Sequence, residues 1–305
     1  MIARLVVDGS AANDLLSPVE RHRIAVGLVV FSGVTMAGMM TTLKLASGVM
    51  SLWQVMVLRA GIGALLLLPV FRLAGINLLP SGQYALYIWR IFLAAGGISC
   101  WIYSVAYLPL GVATAISFSK GLFVLWLAAI LLGERITSVK VATTLAGFVG
   151  VLLVLDPTGG GSIVAGLAGV LGALFGALLS VVIKRLSATE PTIRMMFYPL
   201  AGISVIYAVP AALTWQPLDM TAALLTASMV VLGMISQWCF ISAYRLGEVS
   251  ALAPVEYSRL VMAVIAGFLV FSEVPTLLSI AGMALIAGAS YAAFRFGASE
   301  PAGET

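Results

Sequence analysis

Residues 24–46 read IAVGLVVFSGVTMAGMMTTLKLA, an apolar run of 23 residues whose one charge, Lys44, stands near its end. A helix rises about 1.5 Å per residue, so such a run spans the roughly 30 Å of hydrocarbon in a bilayer. A secretory signal core is only about 7–15 residues long. The run is therefore expected to stay in the membrane. Residues 1–23, with Arg4, Asp8, Asp14, Glu20, Arg21, His22 and Arg23, form a polar segment before it.

Outward from that run the pattern repeats over residues 52–71, 84–107, 111–132, 139–155, 163–183, 193–214, 222–244, 249–271 and 277–294. Most of these runs approach the length of about 20 residues that a span needs. Turn-forming residues separate them: Asn77 to Gly82, Asp156 to Gly161, and Trp215 to Leu218. Ten transmembrane helices follow, so the expected fold class is all-α integral membrane. The shortest run, 139–155, makes the connection from Gly133 to Lys140 the least defined.

Composition agrees with this reading. Hydrophobic residues make up 62% of the 305 and charged residues 9%, against about 25% charged in soluble domains. The net charge of +4 does not mark a nucleic-acid partner, because most of the basic residues sit in short loops between apolar runs rather than on one face. Cys100 and Cys239 both fall in apolar runs, which suits packing and neither a metal site nor a disulfide framework.

Ten spans assign twelve of the sixteen basic residues to one side: Arg4, Arg21, Arg23, Arg72, Arg90, Arg135, Lys140, Lys184, Arg185, Arg194, Arg245 and Arg295. Lys44 alone falls on the other side, and Arg59, Lys120 and Arg259 lie within runs. Cytoplasmic loops collect Lys and Arg, so both termini are expected to be cytoplasmic.

The halves repeat. Ala60, Gly61, Ile62 and Pro69 match Ala201, Gly202, Ile203 and Pro210 at an offset of 141, and Lys44 and Ser47 match Lys184 and Ser187 at 140. Trp101, Ala106 and Tyr107 match Trp238, Ala243 and Tyr244 at 137, while Glu134 and Thr137 match Glu273 and Thr276 at 139. Five spans per half is an odd number, so the second half enters the membrane from the opposite side. The result is an inverted repeat, an arrangement that places a substrate site near the midplane between halves and permits alternating access. The expected division is a cytoplasmic segment 1–23, a first repeat 24–155, a Gly-rich linker 156–162, a second repeat 163–295 and a cytoplasmic tail 296–305.

The run from Ala106 to Val151, with Leu108-Pro109-Leu110, Thr114-Ala115, Phe118-Ser119-Lys120, Leu132-Gly133-Glu134-Arg135 and Gly147-Phe148-Val149-Gly150-Val151, resembles the EamA branch of the drug/metabolite transporter superfamily. Ala253 to Arg259, Ser272-Glu273-Val274-Pro275 and Gly282 repeat the likeness in the second half, so it covers residues 24–295. The resemblance implies a secondary transporter of a small metabolite in the bacterial inner membrane, as a monomer or homodimer. Members of that branch export amino acids and other metabolites or import riboflavin and S-adenosylmethionine, so neither substrate nor direction carries over. Two positions depart from the family pattern: Gly121, where relatives often have Pro, and Asp156, where they often have a basic residue.

Candidate site residues are the ionisable groups inside runs, since burying a charge in hydrocarbon costs at least about 2.5–3.5 kcal/mol. They are Arg59, Lys120, Glu256 and Arg259. Arg59 is either a ligand group or a structural clamp. Lys120 either neutralises a ligand anion or pairs with Glu256. Glu256 and Arg259 are three apart, on one face of a helix, and Pro254 just before them is expected to bend or break that helix. Glu256 is the expected proton-coupling or substrate-amine group. Trp101, Trp238 and Tyr257 are expected at the pocket, whereas Tyr84, Tyr87, Trp89, Trp215 and Tyr291 read as interfacial anchors. Glu134 and Glu273, at the run ends, are expected to make capping or gating contacts.

Other classes lack their residues. The sequence has a single His, His22, and no Asp within a run, so neither an intramembrane enzyme nor a metal site is expected. No phosphate-cradling Gly-rich loop with its Lys occurs, and no cofactor is expected. A channel or structural protein is the alternative class. Three embedded bases against one acid favour an aromatic or carboxylate-bearing ligand, riboflavin-like or an amino acid, over a cation of the S-adenosylmethionine type.

Overall fold

A computed structural model describes residues 17–46, 48–79, 82–108, 110–155, 162–271 and 276–296. The helices are α1 (Pro18–Ala46), α2 (Leu52–Ala74), α3 (Tyr84–Tyr107), α4 (Leu110–Phe118), α5 (Lys120–Leu132) and α6 (Ser138–Leu155) in the first half. The second half holds α7 (Ile163–Ser187), α8 (Thr192–Leu213), α9 (Met220–Leu246), α10 (Val249–Glu256), α11 (Ser258–Phe271) and α12 (Leu277–Phe296). No strand occurs among the described residues. Nine of the segments are long and apolar enough to cross a membrane, and a tenth, Ser138–Val154, is shorter. The fourth and ninth spans are each broken in two, α4/α5 and α10/α11.

Local chemistry explains the boundaries. The first helix begins at Pro18, six residues before the apolar run, because Ser17 and Glu20 form a capping box: Ser17 N donates to Glu20 Oε2 at 2.9 Å and Glu20 N donates to Ser17 Oγ at 3.3 Å. Ser51 caps α2 by accepting from Gln54 N, and Asp219 caps α9 by accepting from Ala222 N at 2.7 Å. Gly133 closes α5 with φ 69°, a left-handed conformation that glycine takes without a Cβ clash.

The packing carries the pseudo-twofold relation between halves. Spans two and seven, α2 and α8, pack on each other, as do spans five and ten, α6 and α12. Other contacts exchange under the same operation: α1 packs on α9 as α7 packs on α3, and α1 on α11 as α7 on α5. The α6–α12 crossing is close enough that a Cβ on Gly150 would meet the Gly282 carbonyl at 2.8 Å, so small residues are required there. Large apolar side chains such as Leu65, Leu73, Ile130, Val205 and Leu269 face outward, which in a bilayer is the lipid side.

One loop assignment is corrected. Arg90 is the seventh residue of α3, 1% exposed, and not a loop residue, which leaves eleven basic residues on the Lys- and Arg-rich side.

Candidate functional site

The two broken spans meet at the centre of the molecule. The first break falls at Ser119, whose Oγ donates to Ile116 O at 2.6 Å, and the second at Tyr257. Lys120 therefore opens α5, Glu256 ends α10, and Arg259 lies in the first turn of α11. Lys120 Nζ donates to Glu256 Oε2 at 2.9 Å, and Arg259 Nη1 stands 4.0 Å from the same oxygen. Tyr244, near the end of α9, donates its hydroxyl to the other carboxylate oxygen of Glu256, and Ser180 Oγ lies 3.3 Å from the Tyr244 oxygen.

Arg259 Nη2 also donates to Ser32 Oγ at 3.1 Å. Its guanidinium lies 4.6 Å from the Phe240 ring centroid, and Lys120 Nζ lies 5.4 Å from the same centroid, so one aromatic ring supports both cations. Gly176 on α7 gives the Lys120 stem room: a Cβ there would approach Lys120 Cδ to 3.3 Å. The Lys120 and Arg259 side chains keep 23% and 22% of their exposure, which they spend on a cavity.

That cavity is a cleft of three adjoining chambers between the halves, of about 330, 360 and 370 Å³. Met36 and Trp101 line all three, so Trp101 stands at their junction. The first chamber holds Lys120, Glu256, Tyr257 and Arg259, and the second holds Arg59, Arg90, Ser236 and Gln237. Tyr257 lines the first chamber with its ring wedged against Gly121 and Gly147, and its hydroxyl has no partner among the described residues. Tyr257 thus rests where a side chain at position 121 would stand.

The structure brings together six of the seven residues expected to bind ligand: Arg59, Trp101, Lys120, Glu256, Tyr257 and Arg259. Trp238 packs against the apolar core on α9 and lines none of the three chambers. Pro254 lies within α10, two residues before the helix ends, and its carbonyl accepts from Ser290 Oγ at 3.3 Å. Glu273 lies outside the described residues.

Glu134, after the Gly133 turn, accepts from Val249 N and Ser250 N at 2.9 Å each and from Ser250 Oγ at 2.5 Å, and so caps the start of α10. Further bonds cross between elements at this end. Lys140 pairs with Glu248, Lys184 Nζ donates to Gly247 O at 2.5 Å, and Arg245 donates to Ser187 O at 2.8 Å and Glu190 O at 2.5 Å. Arg194 pairs with Glu190 at 2.6 Å and donates to Asn77 O at 2.6 Å. At the opposite end the links among the described residues are neutral: Ser51 with Thr214 at 2.9 Å, Gln54 with Gln216 at 2.8 Å, and Ser279 with Val154 O at 3.2 Å.

Two site residues escaped sequence reasoning. Arg90 carried the same signal as Arg59, a charge inside an apolar run, but its place near the start of the run suggested a loop. Tyr244 gave no signal for its bond to Glu256, because the bond depends on how the chain turns between α9 and α10.

Two inverted five-span halves, paired breaks and a cleft between them that holds embedded charges define a polytopic membrane transporter of the drug/metabolite transporter superfamily. Within it, the EamA-like transporter family model matches residues 23–156 and 163–295, and the chain belongs to that family. The chain is 29% identical over 260 residues to the riboflavin transporter of Brucella anthropi, covering 82% of this chain and 88% of the relative. It is 31% identical over 273 residues to the pseudopaline exporter CntI of Pseudomonas aeruginosa, covering 88% and 95%. It is 28% identical over 278 residues to the S-adenosylmethionine uptake transporter of Rickettsia bellii, covering 90% and 93%. A solved crystal structure superposes with a TM-score of 0.76 at 18% identity, over 88% of this chain and 96% of that one, a likeness of fold.

Proposed function

We propose that this protein is a secondary active transporter that moves a small polar or aromatic metabolite across the bacterial inner membrane by alternating access. The observation that carries the reading is the Lys120–Glu256–Arg259 cluster at the two helix breaks, partly exposed to a cleft between the halves. Broken spans end helices inside the bilayer, where their polar groups and side chains can meet a ligand. Glu256 is the acid of that cleft, and Lys120 holds it in the absence of ligand. A proton or a substrate amine arriving at Glu256 releases Lys120, and the freed ammonium can then take a substrate carboxylate or hydroxyl.

Riboflavin-like compounds and amino acids fit best: Trp101 and Tyr257 offer flat apolar surface, and the bases offer hydrogen-bond donors. The relatives are named for riboflavin, pseudopaline and S-adenosylmethionine and for opposite directions, so their names support the mechanism more than the ligand. The dense ionic links at the Lys- and Arg-rich end support a state closed to the cytoplasm and open outward, with both termini cytoplasmic. The functional unit we propose is the single chain, with a homodimer as the other arrangement.

Counterflow in reconstituted vesicles tests the reading. Trans-stimulated uptake is expected of a carrier, and its absence alongside downhill flux identifies a channel. Glu256→Gln is expected to reduce uptake and flatten its pH dependence; unchanged kinetics in that variant reject Glu256 as the coupling group.

A further inference from the structure

Arg59 and Arg90 stand apart from the ion cluster, in the second chamber, and neither makes an ion pair among the described residues. Arg90 is 1% exposed and its Nη1 has no partner. Arg59 Nη1 lies 3.9 Å from the Met39 sulfur, its one hydrogen-bond contact among the described residues, and Gly233 makes room for it: a Cβ there would come within 3.4 Å of its Nη1. Guanidinium stays charged at any physiological pH, so neither group can escape burial by losing its proton.

A lone buried cation is strongly unfavourable unless an anion or a polar cavity receives it. Here one such cation, Arg90, shares a chamber of about 360 Å³ with the half-buried Arg59. Arg59 is the eighth residue of α2 and Arg90 the seventh of α3, helices that run in opposite directions, so the two charges enter the chamber from opposite ends. Four cations line the cleft, Arg59, Arg90, Lys120 and Arg259, against Glu256, a net +3 with all ionised. Arginine's planar fork binds carboxylate and phosphate in particular. The walls between the bases are apolar, Met36, Met39, Met196 and Ile203 among them, and suit a carbon skeleton.

We infer that this chamber is an anion subsite, in which Arg59 and Arg90 bind the carboxylate or phosphate of the transported molecule. The rest of the ligand reaches past Trp101 to the Lys120–Glu256–Arg259 cluster. The substrate class is thus an organic anion with an apolar or aromatic body, which keeps carboxylate-bearing metabolites and sets aside riboflavin itself, a molecule without carboxylate or phosphate; this narrowing rests on the transport reading above. A lipid headgroup phosphate shares this chemistry, and the test separates the two sources.

The experiment follows thermal unfolding of the detergent-purified full chain against citrate, inorganic phosphate and a short-chain phosphatidylglycerol, each at an ionic strength matched with chloride. Citrate or phosphate is expected to raise the apparent Tm, since a ligand of the native state stabilises it. The apparent Kd is expected to weaken about tenfold or more in Arg59→Gln and in Arg90→Gln, as for a lost charge-assisted contact. Without anion both variants are expected to match or exceed the wild-type Tm, because each removes an unpaired charge; clamps with a structural role would lower it. Should Arg90→Gln not fold, Arg90→Lys is expected to keep binding and Arg59→Gln to lose it.

No stabilisation of the wild type by citrate or phosphate, or full retention in the double variant, overturns the subsite. Stabilisation by the lipid alone assigns the chamber to a headgroup and overturns the substrate class. Anion binding together with downhill flux that lacks trans-stimulation overturns the transport reading and leaves the subsite standing.

Discussion

Replacing Glu134 by Gln is expected to open the closed end of the transporter by a calculable amount. Glu134 accepts three hydrogen bonds from Val249 and Ser250 at the start of α10, so its carboxylate both caps that helix and sits at the positive end of its dipole. Losing an N-terminal cap costs about 0.5–2 kcal/mol, and losing the charge at the dipole about 0.3–1 kcal/mol more. Glutamine keeps one acceptor oxygen, which places the net effect near 2 kcal/mol, about 30-fold in an equilibrium. These bonds join the α5–α6 turn to α10, and α10 must part from that turn for the cleft to open at this end. The ratio of closed to open forms is therefore expected to fall about 30-fold, by the differential stability of the two states. Ile183, 2% exposed and lining the second chamber, reports on it. With Cys100 and Cys239 changed to Ala, an Ile183→Cys variant is labelled by a membrane-impermeant maleimide from the side of the basic loops. A labelling rate in Glu134→Gln within twofold of its parent refutes the capping contact as a gate.

Three further outcomes follow from the same geometry. Tyr244→Phe removes the donor to Glu256 and is expected to lower stability by about 1–3 kcal/mol, whereas Tyr257→Phe removes a hydroxyl without a partner and is expected to leave Tm equal or higher. Gly147→Ala drives a methyl into the Tyr257 ring, which Gly121 backs from the other side, and is expected to cost about 1–3 kcal/mol in a thermal-shift assay, relieved by Tyr257→Leu. Lys120→Glu and Glu256→Lys are each expected to abolish uptake and to lower Tm, while the double swap restores Tm but not uptake; full recovery of uptake in the swap identifies a purely structural pair.

Hydropathy alone locates the ten spans, because a bilayer leaves little choice for a run of some 20 apolar residues. The breaks were half legible. Pro254 announced a disturbed ninth span, yet the helix continues through it to Glu256 and breaks at Tyr257. The fourth span carries no proline, and nothing in the sequence marks its break at Ser119, whose Oγ bonds to Ile116 O just as Ser117 Oγ bonds to Thr114 O within the unbroken α4. The register between halves was not legible either. Offsets of 139 and 137 place Lys120 opposite Arg259 or Tyr257, whereas the two breaks align Ser119 with Tyr257 and Lys120 with Ser258, an offset of 138. Repeat matches drift by a residue between helices because loops absorb insertions, and only the three-dimensional breaks fix the pairing. Trp238 misled for a related reason. Its match to Trp101 is a likeness of sequence, while the pseudo-twofold leaves Trp101 at the cleft junction and Trp238 against the core.

The charge balance separates a working site from a structural cross-link. A buried ion pair retained for stability alone is a poor device, since an apolar pair of similar size serves as well or better. Lys120 and Glu256 could be such a pair if they closed on each other, but Arg259 shares the same carboxylate at 4.0 Å and reaches beyond it to Ser32. Two cations share one carboxylate oxygen, and Tyr244 holds the acid's second oxygen. The cluster can therefore exchange partners without leaving Glu256 bare: when Lys120 departs, Arg259 and Tyr244 remain. A structural cross-link has no use for that redundancy. A carrier does, because the groups of such a cluster partner one another when the cleft is empty and the ligand when it is full.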